Sequence, residues 1–168
     1  ALNVRDIGAE IQNALGTPAD AIQASEAVIV TMLIDDSGSI RFAGNSQAVR
    51  DGHNLVIEAL KGAKARSGIL VHCRYLNGSI LYPYVGLDEA VPMNTHNYDP
   101  NGGTPLYDQA AVTLATVLAK VQEFRDNGMP CRTVTLILTD GHDEHSHAHT
   151  AQTLCPVVRD MLMRENYI

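Results

Sequence analysis

Five oxygen-bearing side chains in this sequence have the types and spacing of a cation site. Asp35, Ser37 and Ser39 alternate within one short run directly after an apolar stretch. Thr104 follows two glycines, and Asp140 comes at the end of a second apolar stretch. Carboxylate and hydroxyl oxygens are the ligands that small divalent cations prefer in proteins. The spacing therefore predicts a metal site assembled from three separate loops.

The two apolar stretches predict the strands that position these loops. Residues 28–34 and 133–139 are rich in β-branched side chains, which is typical of strands buried on both faces of a parallel sheet. In open α/β sheets, ligands bind at the carboxyl ends of the strands, where the winding reverses. If the two strands are neighbours at that point, Asp35 and Asp140 face one cavity. Thr104, at a helix start, can reach the same edge.

The remaining patterns predict a Rossmann-like α/β fold. We expect an open sheet that is mostly parallel, one antiparallel hairpin strand turning at Asn77-Gly78, and helices on both faces. The chain reads as a single domain over residues 1–168, with residues 4–15 as an N-terminal helical extension. Pro105 suits the first position of a helix with Thr104 as its N-cap. The other predicted segments are a loop over 41–46, helices over 47–66, 105–126 and 155–165, strands over 69–76 and 79–84, a loop over 85–101, and a strand start at 167–168.

Composition excludes several classes of function. Hydrophobic residues make up 45% of the chain, which favours a globular fold over disorder. The net charge of −7 argues against a nucleic-acid partner. No apolar run approaches the roughly 20 residues of a membrane span. The three cysteines form no C-x-x-C pair, and their odd number fits a reducing compartment. We therefore expect a cytoplasmic protein with no membrane or nucleic-acid partner.

Three motifs together resemble the von Willebrand factor type A (VWA) family. They are DxSGS over residues 35–39, GGTPL over 102–106 and TDG over 139–141. In order and content they are similar to that family's metal-ion-dependent adhesion site. D-x-S-x-S alone is a weak signal, but its position after an apolar strand and the two further motifs make the combination specific. The resemblance covers the chain from about Ala27 to its end.

The resemblance implies a function without catalysis. Ser37, Ser39 and Thr104 would bind the cation through hydroxyl oxygens, and Asp35 and Asp140 directly or through water. Two negative charges just balance a divalent ion, with Mg²⁺ expected first and Mn²⁺ or Ca²⁺ as alternatives. The open position then suits an Asp or Glu carboxylate of a partner protein. Intracellular bacterial and archaeal members of the family often work in multiprotein assemblies, for example beside ATPases of the AAA type.

Two features depart from the family pattern. Family members usually continue with two more strands and a helix beyond the position of Ile168. Without them the strand ending at Asp140 becomes a sheet edge with exposed apolar surface, so we expect a fragment, a second chain covering the edge, or coverage by the C-terminal helix. Asp36 adds a further carboxylate within the first motif, and we expect its side chain to point away from Asp35.

Other interpretations remain open at this point. A receiver-like phosphoacceptor domain would also place carboxylates after strands, but no lysine follows Lys120. A metal-dependent phosphohydrolase would need a base, which only the histidines of residues 142–149 could supply. That loop could alternatively hold zinc, although we interpret it as a solvated loop. The five oxygen ligands could also be ordinary cap and turn residues, and Asp108 is expected only to favour the helix dipole.

Overall fold

A computed structural model describes residues 6–164. Within these residues the sheet has four strands: β1 Ala27–Ile34, β2 Ile69–Tyr75, β3 Ile80–Gly86 and β4 Cys131–Leu138. The α-helices are α1 Ile7–Ala14, α2 Gly38–Phe42, α3 Ser46–Lys61, α4 Leu106–Asp126 and α5 Ala151–Met163. Short 3₁₀ turns occur at Ala19–Ala21, Arg66–Gly68 and Leu87–Glu89.

The strand order β3-β2-β1-β4 confirms the predicted fold class. β1 pairs in parallel with both β2 and β4, and β2 pairs antiparallel with β3. The predicted hairpin is present, with Gly78 at a φ of 88°. Because β2 and β4 lie on opposite sides of β1, the winding reverses at β1. The carboxyl ends of β1 and β4 are therefore adjacent at the switch point of the sheet.

Side chains of β1 alternate between two packed layers, as the period of a strand requires. Val30, Met32 and Ile34 pack in one cluster with Val49 and Ile57 of α3. The opposite face of the sheet packs against α4 and α5 through a second set of side chains: Ile29, Leu33, Leu70, Ala110, Val117, Phe124, Leu154 and Met161. Each fully buried aliphatic side chain contributes about 1.5–3 kcal/mol. This burial fixes the strand from which the first motif emerges.

The segment after β1 differs from its prediction. Residues 41–46 were expected to be a loop, but a short helix, α2, begins at Gly38, so Ser37 is its N-cap residue. The next helix, α3, ends at Lys61 rather than near residue 66. Gly62 is its C-cap residue, and the Gly62 N–H donates to the Glu58 carbonyl at 3.3 Å. Leu55 of α3 is exposed to solvent.

The starts of the last two helices also differ. α4 begins at Leu106 with Pro105 in the cap position, so Thr104 lies before the helix and its side chain does not cap it. α5 begins at Ala151, well before the predicted start, and Pro156 is inside it. Its N-terminus is stabilised by a reciprocal pair of hydrogen bonds between Thr150 and Thr153. Such a Thr-x-x-Thr pair is a weaker sequence signal than the proline that suggested the later start.

Strand β4 is an edge among the described strands, and much of its apolar surface is exposed. The prediction that it is buried on both faces is therefore wrong, whereas the sheet edge with exposed apolar surface that we expected without further strands is observed among the described strands. No helix formed by residues 6–164 is long and apolar enough to cross a bilayer. Cys73, Cys131 and Cys155 are free thiols. The first residues of the N-terminal helix and the strand start predicted at residues 167–168 lie outside the described residues.

Candidate functional site

Asp35 is the buried anchor of the predicted site. Its backbone N–H donates to the Leu138 carbonyl (2.9 Å), which continues the β1–β4 pairing by one residue. Its Oδ1 accepts from the Ser37 N–H (2.8 Å), and its Oδ2 accepts from the Thr139 hydroxyl (2.7 Å). The Tyr98 hydroxyl donates to its carbonyl oxygen at 2.6 Å. These contacts from three segments fix the direction of the carboxylate.

A chain of hydrogen bonds joins the two serines to Asp140. The Ser37 and Ser39 Oγ atoms are 2.8 Å apart, and Ser39 Oγ donates to Asp140 Oδ1 at 2.9 Å. Since Ser39 donates its proton to the carboxylate, Ser37 must donate to Ser39. Ser37 Oγ then keeps its lone pairs for another donor or a cation. Residues from the ends of β1 and β4 thus form one polar cluster.

The loop containing Thr104 lies against the first motif. Gly102 forms a parallel bridge with Ser37, its N–H donates to the Asp36 carbonyl (3.0 Å), and its carbonyl accepts from the Gly38 N–H (3.1 Å). Thr104 is buried, and its hydroxyl makes no hydrogen bond within residues 6–164. Within the described residues, no hydrogen bond joins Thr104 to Asp35, Ser37, Ser39 or Asp140. Gly102 is what brings Thr104 to the same edge.

The histidine loop folds back over the start of α4. His145 Nδ1 accepts from the Thr104 N–H at 2.9 Å, and a Cβ at Gly103 would lie 3.0 Å from that imidazole. The Asp108 carboxylate accepts from the backbone N–H groups of His147 (2.8 Å) and His149 (2.8 Å). Burial opposes the charge of Asp108, but these hydrogen bonds outweigh it and lower the pKa. Asp108 therefore orders the loop, a role that the sequence did not indicate.

Asp36 points away from Asp35, as predicted. Its Oδ1 accepts from the Asn77 N–H at the β2–β3 turn (3.0 Å). Burial raises the pKa of Asp36 to about 6, although its backbone hydrogen bonds partly offset the effect. This carboxylate faces a different cavity and is not part of the Asp35 cluster.

Sequence reasoning missed three residues that build this edge. The Thr139 hydroxyl binds Asp35, Tyr98 binds the Asp35 carbonyl, and His145 holds the Thr104 backbone. Only Thr139 carried a signal, since it directly precedes Asp140 in the third motif. Tyr98 and His145 lie in loops without periodicity, where sequence spacing does not reveal tertiary contacts.

The donor set is oxygen-rich and lightly charged. Four of the five predicted ligands, Asp35, Ser37, Ser39 and Asp140, belong to one hydrogen-bonded cluster. Within the described residues, no three or more His, Cys, Asp or Glu side chains are grouped so that they could hold a metal ion, in the histidine loop or elsewhere. The predicted site differs from such a group because three of its five ligands are hydroxyls.

Two comparisons with known proteins give no relative. No model of a protein family matches this chain. A search of curated proteins also finds no matching sequence. What can be said of the site therefore comes from its own residues: an oxygen-lined cluster at the switch point between β1 and β4.

Proposed function

We propose that this chain is a VWA-like interaction module that binds a carboxylate of a partner protein through a divalent cation. The observation that carries the proposal is the continuous set of hydrogen bonds from Thr139 through Asp35, Ser37 and Ser39 to Asp140. It joins residues that are about a hundred positions apart in the sequence. Hydroxyl and carboxylate oxygens converging in this way are typical of a Mg²⁺ site.

The donor set fits such a cation. Asp35, Ser37, Ser39, Thr104 and Asp140 would hold it. Thr104 is 6% exposed, and its hydroxyl has no hydrogen bond within residues 6–164, so it is available to an ion. Two carboxylates balance one divalent charge, which leaves the ion able to act as a Lewis acid toward one further oxygen ligand. Mg²⁺ suits this set best, and Mn²⁺ or Ca²⁺ could replace it.

An exposed aromatic side chain at the rim supports a role in protein binding. Phe42, at the end of α2, is 91% exposed. A Cβ placed on Gly38 would lie 3.5 Å from its ring, so the ring lies beside the first motif. Aromatic residues, Phe among them, are enriched at the cores of protein–protein interfaces. A partner whose carboxylate reaches the cation could bury Phe42.

The chemistry of the site argues against catalysis. His145 is the nearest candidate base, but its Nδ1 accepts the Thr104 N–H (2.9 Å). A neutral imidazole that accepts through Nδ1 carries its hydrogen on Nε2, so the one acceptor nitrogen of His145 is already used to position the Thr104 backbone. Lys120 donates to the Leu15 carbonyl (2.8 Å) and to the Glu123 carboxylate (2.9 Å), so it holds α1 against α4. It cannot serve as the lysine of a phosphoacceptor site.

Calorimetric titration with MgCl₂, MnCl₂ and CaCl₂ tests the cation. We expect one site, which Ser39→Ala and Asp140→Asn weaken by about tenfold or more because each removes an oxygen ligand or a charge. Asp51→Asn is the matched control, since Asp51 is exposed on α3 and hydrogen-bonds only Gln47 among the described residues. Equal affinity in all four proteins, or no binding at all, would contradict the cation site.

Acetate then tests the carboxylate ligand, with acetamide as the neutral control. The Mg²⁺-loaded protein should bind acetate at millimolar concentration, and the EDTA-treated protein should not. A phosphatase assay with p-nitrophenyl phosphate and Mg²⁺ or Mn²⁺ covers the enzymatic alternative. Turnover that disappears in His145→Ala would overturn the assignment as a non-catalytic module.

A further inference from the structure

A second polar cavity opens on the other side of the first motif. It has a volume of about 260 Å³ and lies between the β2–β3 turn and the loop before α4. Its lining includes the carboxylates of Asp36 and Asp99 and the rings of Tyr75 and Tyr98. None of the predicted cation ligands lines it. The cavity is therefore separate from the cluster around Asp35.

The Tyr75 hydroxyl in this cavity lacks a partner. Tyr75 is only 5% exposed, and its Oη is fully buried with no hydrogen bond in the described structure. A buried hydroxyl without a hydrogen bond costs about 1–3 kcal/mol. The rest of this side chain is well packed, with its ring 5.6 Å from the ring of Tyr98. A ligand with a polar group in the cavity would supply the missing partner.

The charge of the lining selects the kind of ligand. Asp36 and Asp99 are acidic, and no Lys, Arg or His side chain lines the cavity. Asp99 forms an ion pair with Arg41. The Asp36 carboxylate accepts the Asn77 N–H through Oδ1 at 3.0 Å. A carboxylate beside a hydroxyl without a hydrogen bond suits a cation that donates several hydrogen bonds.

We propose that this cavity binds the guanidinium group of an arginine side chain from a partner protein. A guanidinium has several N–H groups and can donate to the Asp36 carboxylate and to the Tyr75 hydroxyl. A volume of 260 Å³ accommodates one such side chain. Because Asp36 directly follows Asp35, the partner's arginine would lie close to the partner's own Asp or Glu, which binds the cation. That last point rests on the proposed function, whereas binding of guanidinium does not.

The test uses N-acetyl-arginine methylamide as the probe and N-acetyl-citrulline methylamide as its uncharged control. Each is titrated into ¹⁵N-labelled protein in EDTA, so that the cation site does not contribute. The arginine probe should shift the amide signals of Asn77 and Gly102, whose N–H groups contact Asp36. The shifts should saturate, and the citrulline probe should cause none. Absence of saturable shifts, or equal shifts with both probes, would overturn the proposal.

Variants separate recognition from folding. Tyr75→Phe removes a hydroxyl that has no partner in the free protein, so its thermal midpoint should stay the same or rise. Its affinity for the arginine probe should fall by about threefold to tenfold. Asp36→Asn keeps the acceptor for Asn77 and should weaken binding by about tenfold or more. Tyr107→Phe, at the start of α4 and outside this cavity, should bind normally. Unchanged affinity in Tyr75→Phe would overturn the proposal.

The two proposed sites can fail independently. Ser39→Ala should weaken acetate binding in Mg²⁺ and leave binding of the arginine probe intact. Tyr75→Phe should weaken binding of the arginine probe by about threefold to tenfold and leave acetate binding intact. If the probe fails to bind while acetate binds, only the guanidinium site is wrong. If acetate does not bind while the probe does, the cation-dependent function is wrong and the guanidinium site is supported.

Discussion

Strands β1 and β4 have similar sequences but very different environments. They pair along their whole length, so that Leu33 lies beside Ile137. Leu33 is fully buried, whereas Ile137 is 41% exposed. β1 has a strand on each side, but β4 has only β1 beside it among the described strands. The same apolar, β-branched composition thus occurs at the centre of the sheet and at its edge.

The grooves beside β4 show what the edge position changes. A groove of about 450 Å³ lies between β4, α4 and α5, and one of about 370 Å³ lies between β4 and α3. Both are lined mostly by apolar side chains. Helices cover the two faces of β1 but cover those of β4 incompletely. Burial therefore depends on how many neighbours a strand has, and composition does not report that number.

Truncating the paired residues Leu33 and Ile137 should give the largest difference in the free energy of unfolding. Leu33→Ala should lower the free energy of unfolding by about 2–5 kcal/mol, because it leaves a cavity in the core. Ile137→Ala should cost roughly 1 kcal/mol, because that side chain already contacts solvent. Urea unfolding followed by circular dichroism measures both. Equal losses would mean that β4 is as buried as β1 in solution.

The two flanks of β1 also differ in a titratable group. Thr31 lies between His72 of β2 and Thr135 of β4, and His72 is fully buried. Burial lowers the pKa of His72 to about 4, with a hydrogen bond to the Tyr82 carbonyl opposing the shift and the charge of Arg74 adding to it. Between pH 6.5 and about 4, His72 is protonated in the unfolded chain but stays neutral in the folded protein. Stability should therefore fall as the pH is lowered from 6.5 to about 4.

His72→Asn isolates this effect, because asparagine can donate to the Tyr82 carbonyl but does not titrate in this range. From pH 7 to pH 4, the wild type should lose up to about 3 kcal/mol more than the variant. The raised pKa of Asp36, about 6, affects the pH dependence of stability in the opposite direction. Because Asp36 is present in both proteins, its effect cancels in the comparison. Unfolding curves at several pH values provide the measurement. Parallel pH profiles would show that His72 is protonated, or exposed, in the folded state.

A smaller effect is expected where the ends of the two strands are joined. Thr139→Val removes the hydroxyl that donates to Asp35 Oδ2 at 2.7 Å, and it should cost about 1–2 kcal/mol. Thr135→Val, on the same strand, is the control and should change stability by less than about 0.5 kcal/mol, since its hydroxyl makes no hydrogen bond within the described residues. Chemical denaturation resolves this difference. A Thr139→Val protein as stable as the control would show that the Asp35 carboxylate finds other donors.

The sequence by itself determined the local features of this protein. The period of apolar residues predicted the four strands and the long helices, and Asn77-Gly78 predicted the hairpin. Each apolar run ended at a polar residue, which located the loops of the candidate site. These features are encoded by residues near one another in the chain, so a short window is enough to recognise them. The helix α2 was not predicted, and the starts of α4 and α5 were misplaced because their caps decided them.

Only the tertiary structure decided which segments meet. The pairing of β4 with β1, the contact of Thr139 with Asp35 and the binding of the histidine loop by Asp108 all join distant residues. Packing of the whole chain selects such pairs, since the free energy of each contact depends on what surrounds it. A sequence pattern carries the preference of a residue for a strand or a loop. It does not carry the identity of the neighbour, which is why two similar apolar runs became one buried strand and one exposed strand.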